Sequence, residues 1–345
     1  MASNSDVAAT PVAVDWRGRI RRATPQIVIG AVIGVAALVL AFRHVEWSGV
    51  VNALRNTRPS FILLSLFLTA MTLALTTTRW WLLFAPDHRE RNWFVLAAAI
   101  LIGQTLNVAI PARLGELARM VLVGTRERVS KMRVGATIVV EKVTDLAVFA
   151  VCVGYLLIAM TLPAWMMRSG SALAVTSTAL VVILLVLSFW SEALLRGIES
   201  IASHFPERWA ARLVAFSEAA LEGLKPLRDW RAGLTIWFLA ALVLGFSIAV
   251  NYVLFLAMGL SLSPVAAVFL TVILRIGSAP PSLPGKIGLV QYLVIVGLAA
   301  FGVDRTTALT YSLLLYAVAI LPVLLAGVAC TFAFRWSEAR VAEAS

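Results

Sequence analysis

Long apolar runs separated by short polar segments organise this chain. They cover about residues 27–42, 60–78, 134–160, 171–190, 232–258 and 306–333. All but the first are 19 residues or longer, close to the ~20 that a helix needs to cross a ~30 Å hydrocarbon core. Backbone N–H and C=O groups find no water there, so each run is predicted to be a helix. Trp80, Trp81, Trp93, Trp165, Trp190, Trp230 and Trp336 fall near the predicted ends, where interfacial aromatic belts sit.

Two more apolar regions break this rhythm. Region 93–123 is interrupted by Asn107, Pro111, Arg113, Gly115 and Glu116, and region 264–302 by Arg275, Gly277, Pro280, Pro281, Pro284, Gly285 and Lys286. Each half is about 10–17 residues, short for a crossing. Proline removes a backbone donor and glycine loosens the chain. Both regions are therefore expected to be re-entrant helical hairpins, with tips at Pro111 and Gly115 in the first and at Pro281, Pro284 and Gly285 in the second.

Loop charge orients the elements. Residues 111–133 carry six basic residues against two acidic ones, and 79–92 carry Arg79, Arg89 and Arg91. Both flanks of the first hairpin read as cytoplasmic. Segments 161–170, 259–264 and 302–305 are poor in charge and read as external, so the second hairpin enters from the opposite face. Segment 43–59 must then be external, although it carries Arg43, Arg55 and Arg58. Arg17, Arg19, Arg21 and Arg22 precede the first run without a small-residue cleavage site after it, which predicts an uncleaved first span with both termini inside.

The expected fold class is an all-α polytopic membrane protein with six full spans, two oppositely entering re-entrant hairpins and an inverted-topology repeat. Repeat 1 covers about 60–160 and repeat 2 about 232–333. Pro111 to Gly115 and Pro281 to Gly285 share one spacing. Residues 1–16 are expected to be a disordered tail, 17–335 a single transmembrane domain and 336–345 a second tail. Segment 191–231 has six basic and six acidic residues among periodic apolar ones, the pattern of amphipathic helices on a membrane surface.

Composition supports the membrane assignment. Of 345 residues, 61% are hydrophobic and 14% charged, with a mean hydropathy of +0.91. Soluble domains run nearer ~45–50% and ~25%. A soluble enzyme, a nucleic-acid-binding module and a secreted disulfide scaffold are excluded as whole-chain readings. The net charge of +11 reads as cytoplasmic-loop bias or attraction to anionic headgroups. Cys152 and Cys330 lie in apolar runs. His44, His88 and His204 are too scattered in sequence for a metal cluster, so neither a metal nor another cofactor is expected.

Charges inside membrane segments cost about 2.5–3.5 kcal/mol each on insertion scales, which makes them candidates for function. Three clusters stand out. Arg113, Glu116 and Arg119 lie on the returning half of the first hairpin; Glu116 and Arg119 are i,i+3 and can pair, which leaves the Arg113 fork for a phosphate. Alternatively these charges are solvated at the interface. Glu141, Lys142 and Asp145 follow on the next span. Glu141 and Asp145 share a face, and Lys142 can neutralise a carboxylate. They read either as ion pairs tying this span to Arg113 or Arg119, or as a proton-coupling site. Arg275 and Lys286 flank the second tip without a nearby carboxylate in sequence, so their counter-charge is a lipid phosphate or an acid of the other repeat. Tyr311 and Tyr316 read as packing. No catalytic triad, phosphate-cradling loop or metal-binding acidic cluster occurs, so the chain is not expected to be an enzyme.

Pro111-Ala-Arg113-Leu-Gly115-Glu116-Leu-Ala-Arg119, Val140-Glu141-Lys142-Val-Thr-Asp145 and Pro281-Ser-Leu-Pro284-Gly285-Lys286-Ile-Gly288 resemble motifs of the lysylphosphatidylglycerol synthase transmembrane family. This is the flippase-like domain of the bacterial multiple peptide resistance factor and of stand-alone homologues, and the resemblance covers about residues 20–335. It departs at Lys286, where the family often has glycine, and at Gln291, where it often has an acid. About ten residues follow the last span, so the aminoacyl-transfer domain of the synthases is not expected.

The expected function is translocation of an anionic phospholipid or isoprenoid phosphate lipid across a bacterial cytoplasmic membrane. Arg113, Glu116, Arg119, Arg275 and Lys286 are the candidate lipid-binding residues, and Glu141 and Asp145 the candidate proton-coupling ones. The alternative is a non-transporting partner that presents lipid to a separate glycosyl- or aminoacyltransferase. Such an enzyme and a second copy of the chain are the candidate protein partners; no nucleic acid is expected.

Overall fold

The computed structural model describes residues 39, 47–109, 114–160, 164–204, 206–277 and 286–343. The first apolar run, apart from Val39, the tail 1–16, and the hairpin residues Pro111, Arg113, Pro281, Pro284 and Gly285 lie outside the described residues. Backbone polar groups in hydrocarbon must bond within their own segment, and the chain is all-helical, with no strand among the described residues.

Among the described residues, four candidate crossings are long and apolar enough to span: α2 (Pro59–Leu82), α5 (Lys131–Ala159), α9 (Trp230–Ala257), and α12 (Arg305–Ala319) with the start of α13 (Leu321–Glu343). The last two helices break at Ile320. Pro322 is one cause, because it has no N–H to bond the preceding turn. α13 runs on to Glu343, past residue 335. A fifth candidate is the described part of α6 (Ala164–Phe189), which turns by 78° into α7 (Ser191–Ala202). This is a multi-pass membrane protein. Its outward apolar side chains fit that setting: Ile158 is 90% exposed and Phe94 76%.

Three short apolar helices occupy the interrupted regions: α3 (Trp93–Ala109), α10 (Pro264–Gly277) and α11 (Leu289–Ala299). Between α3 and α5 runs α4 (Gly115–Arg126). α3 packs on α4, and α10 on α11. At ~1.5 Å per residue the 17 residues of α3 reach only about 26 Å. Segment 43–59, expected to be a loop, holds the helix α1 (Trp47–Arg55), which packs on α12 through Val50. Val50, Val51 and Leu54 give it one apolar face.

Helices distant in sequence pack together. Among the described residues, α2 and α9 make the most extensive helix pairing. α3 also packs on α13, and α10 on α5. α8 (Glu207–Glu222) packs on α7 and α5. Apolar clusters fill α9–α12, the α2–α5 group, and the seam between α5 and α10.

Capping fixes two of the boundaries. The Asp229 carboxylate accepts from Arg231 N at the start of α9, and Asp304 from Thr307 N at 2.9 Å at the start of α12. Partial burial raises the Asp304 pKa, but hydrogen bonds from Thr307 and from the backbone outweigh it and hold the carboxyl below 3.8. The folded pKa is therefore depressed. Its contribution is present above the unfolded pKa and fades as pH falls through the folded one. Asp304→Ala is expected to cost about 1 kcal/mol in thermal unfolding at pH 7, and less than that at pH 3.

Candidate functional site

Thr69, Thr72, Thr76 and Arg79 recur at three, four and three residues along α2, which puts them on one helix face. This face lines a cavity of two adjoining lobes, a more polar one of 220 Å³ toward the first interrupted region and a mainly apolar one of 340 Å³ toward the second. Thr72, Thr76, Gln104, Ser247 and Arg275 line both lobes. The threonine protons are already donated to carbonyls one turn back: Thr69 to Ser65 O, Thr72 to Leu68 O and Thr76 to Thr72 O.

Three ion pairs line the first lobe. The Arg119 fork grips Glu141 through Nη1–Oε1 at 3.1 Å and Nη2–Oε2 at 2.6 Å. Both side chains are buried. The Arg119 guanidinium also lies 4.0 Å over the Trp80 ring, an arrangement that stabilises a desolvated cation. Arg79 pairs with Asp145 at 2.5 Å. Lys142 pairs with Glu116 at 3.3 Å, and Asn107 Nδ2 donates to the same carboxylate at 3.2 Å. Asn107 Oδ1 accepts from Gly115 N at 2.8 Å, so this side chain ties the two arms of the first hairpin together. Desolvation costs several kcal/mol per buried ion, which such pairing offsets.

The second lobe differs in charge. Arg275 and Lys286 line it, and no carboxylate does among the described residues. Arg275 sits in the last turn of α10, where a cation complements the helix dipole. Its guanidinium is 5.8 Å from the Phe149 ring, and it makes no ion pair among the described residues. Lys286 has φ +55°, the left-handed region that favours glycine. Gln291 Oε1 accepts from Gly288 N at 2.7 Å and so caps α11. Behind the lobe, Asn251 Nδ2 donates to Thr271 Oγ1 at 3.1 Å, and the Tyr311 hydroxyl lies 2.9 Å from Asn251 Oδ1, joining α9, α10 and α12.

Glu116, Arg119, Glu141, Asp145 and Arg275 therefore meet at one lobe, and Lys286 lies at the other. Gly115 is where α3 and α4 touch. Pro111, Arg113, Pro281, Pro284 and Gly285 lie outside the described residues. Glu116 and Arg119 are i,i+3, yet each turns to α5 for its partner, and Lys142 takes Glu116 rather than Asp145. Two expectations are corrected. Arg79, counted as a cytoplasmic-loop charge, is 1% exposed inside α2, and Trp80, assigned to an interfacial belt, is fully buried beneath Arg119. Trp190 and Trp230, by contrast, are exposed. Sequence reasoning missed Gln104, the threonine face, Ser247 and Asn251. A lone Asn in an apolar span was the available signal. Among the described residues no His, Cys, Asp and Glu group is arranged to hold a metal.

The family described as lysylphosphatidylglycerol synthase TM region matches residues 27–327. A protein named glycosyltransferase AglD, from Haloferax volcanii, is 31% identical over 143 residues. The match covers 41% of this chain but only 23% of that relative, so the chain spans under a quarter of its length. No solved structure matches.

Proposed function

The chain belongs to the lysylphosphatidylglycerol synthase TM region family, and on that premise we propose that it translocates an anionic or phosphate-bearing lipid between leaflets of a bacterial cytoplasmic membrane. Transport, not group transfer, is the activity. The observation that carries this reading is the cavity itself. It is lined by the short helices α3, α10 and α11 together with α2 and α9, and Arg275, which makes no ion pair among the described residues, lines both of its lobes. A lipid phosphate supplies the missing anion, while its acyl chains stay in the bilayer. Lys286 and, outside the described residues, Arg113 complete the headgroup site in this reading.

The hairpins are then re-entrant, and the halves form an inverted repeat with six spans and both termini inside. Support comes from the reciprocal packing of each hairpin on the other half and from the tendency of such repeats to hold ligands near the midplane. Glu141 and Asp145 are the candidate proton-coupling groups, since each shares a hydrogen-bonded pair that a proton would loosen.

Liposomes carrying the purified protein and headgroup-labelled lipids test this proposal. Anionic lipid is expected to cross faster than in empty vesicles. Arg275→Ala is expected to slow it about tenfold, the loss of one charge-assisted contact of ~1.5 kcal/mol. Rates equal to those of empty vesicles for both anionic phospholipids and isoprenoid phosphates, with folded protein, discard the reading.

The partial likeness to a protein named as a glycosyltransferase favours a second reading, in which the chain presents lipid to a separate glycosyl- or aminoacyltransferase through α7 and α8. The same vesicles separate the two, because a presenting partner moves no lipid by itself.

A further inference from the structure

We infer that the cavity selects a lipid whose phosphate carries a neutral, hydroxyl-rich headgroup and disfavours a cationic one; this rests on the translocase reading above. The argument begins with charge. The first lobe holds Arg79, Arg119 and Lys142, paired with Asp145, Glu141 and Glu116, and Arg275 lines it as a fourth cation, so each carboxylate is already matched. An ammonium headgroup entering there meets no uncommitted acid. To gain one it must displace a guanidinium or an amine from a pair already made, and Arg119 is gripped by two hydrogen bonds.

The unmatched cation is Arg275, which makes no ion pair among the described residues and reaches from the first lobe into the second. Arg275 and Lys286 line it, and no described carboxylate does. A guanidinium fork matches a phosphate's oxygens. Lys286 stands at φ +55°, where a side chain is strained relative to glycine.

Hydrogen-bond direction selects the rest of the headgroup. Thr72, Thr76 and Ser247 line both lobes, and each donates its only hydroxyl proton to a carbonyl four residues earlier, at 2.8, 2.7 and 2.8 Å. Toward the cavity they offer lone pairs alone. Such a surface is satisfied by donors. Choline has none, an amine is opposed by the neighbouring cations, and polyol hydroxyls supply them without charge. Gln104, also lining both lobes, can accept from one hydroxyl and donate to another.

The test uses the full-length protein in nanodiscs and five lipids of identical acyl chains: phosphatidylinositol, phosphatidylglycerol, phosphatidic acid, phosphatidylcholine and lysylphosphatidylglycerol. Phosphatidylinositol and phosphatidylglycerol are expected to bind about tenfold tighter than phosphatidylcholine and lysylphosphatidylglycerol, one to two hydrogen bonds' worth. Thr76→Val with Gln104→Leu is expected to erase the preference for phosphatidylinositol over phosphatidic acid while phosphatidic acid binding stays. Lys286→Gly is expected to weaken phosphatidic acid severalfold with the melting temperature unchanged or raised, since the strain is relieved, so the loss cannot be misfolding. Tighter binding of lysylphosphatidylglycerol, or an unchanged ratio in the Thr76/Gln104 variant, overturns this inference while leaving translocation intact. If no lipid is bound or moved, the translocase reading falls first.

Discussion

Arg119→Ala is expected to destabilise the protein by about 3–5 kcal/mol. The partner left behind, Glu141, is 3% exposed. With Arg119 removed, its nearest cations are Arg79, already committed to Asp145, and Lys142, which holds Glu116. Truncating Arg119 also removes the cation from the Trp80 face. Glu141→Ala should cost a similar amount, because it strands a guanidinium. The double variant Arg119→Met, Glu141→Leu should recover most of the loss, since no buried charge remains and the volume is kept. Thermal unfolding in detergent, followed through a double-mutant cycle, measures this. Two mild single variants whose costs simply add would show that the pair is solvated. Lys142 and Glu116 make a useful contrast. Their side chains are 51% and 32% exposed, so breaking that pair should cost under about 1 kcal/mol.

Gly115→Ala is expected to lower stability by at least about 1–3 kcal/mol, the usual cost of overpacking, and to slow lipid movement with it. A Cβ at Gly115 would stand 2.0 Å from Gly103 O and 2.6 Å from Asn107 Cγ. The first of these is backbone and cannot rotate away, so α3 and α4 must part. Their separation breaks the Gly115–Asn107 hydrogen bond and pulls Arg119, one turn further along α4, off Glu141. The control is Gly154→Ala in α5, where nothing lies within 4 Å of the added carbon. Alanine there should be neutral or stabilise by up to about 1 kcal/mol through helix propensity. Melting temperature and vesicle transport rate should both fall for Gly115→Ala and hold for Gly154→Ala. Equal behaviour of the two would remove the helix contact as an explanation.

How far the sequence spoke depends on the kind of signal. Long crossings such as α9 were legible because length and apolarity alone define them. The interrupted regions were legible as short helices because Pro111 and Pro281 break an apolar run wherever the chain folds. The Arg119–Glu141 pair stood among the alternatives, since a buried acid on α5 needed a cation and few were available. Arg79 was hidden by position. A charge just past an apolar run usually marks the water interface, and only the tertiary approach of Asp145 turns it inward. Trp80 was misread for the same reason. Asn107 looked like a breaker, because its bridging role depends on where α4 returns. α1 went unseen because its apolar face is only a few residues wide. The threonine face of α2 was readable as a three-four-three pattern, yet in a membrane helix threonine satisfied by its own backbone passes for an apolar residue.

The seat of α13 on α3 has a temporal meaning. At Gly327 the two helices approach so closely that a Cβ would stand 2.1 Å from Thr105 Oγ1 and 2.6 Å from Leu101 O. The ribosome makes α3 early and this glycine late, with more than 200 residues between them. At ~5–20 residues per second the wait is roughly 10–40 s. Once α5 is made, the acids and bases of the first lobe are all in the chain, but the helix that packs on α3 is not. A nascent chain in this state offers charge to lipid. Stable packing of the first hairpin is therefore expected to wait on the synthesis of α13.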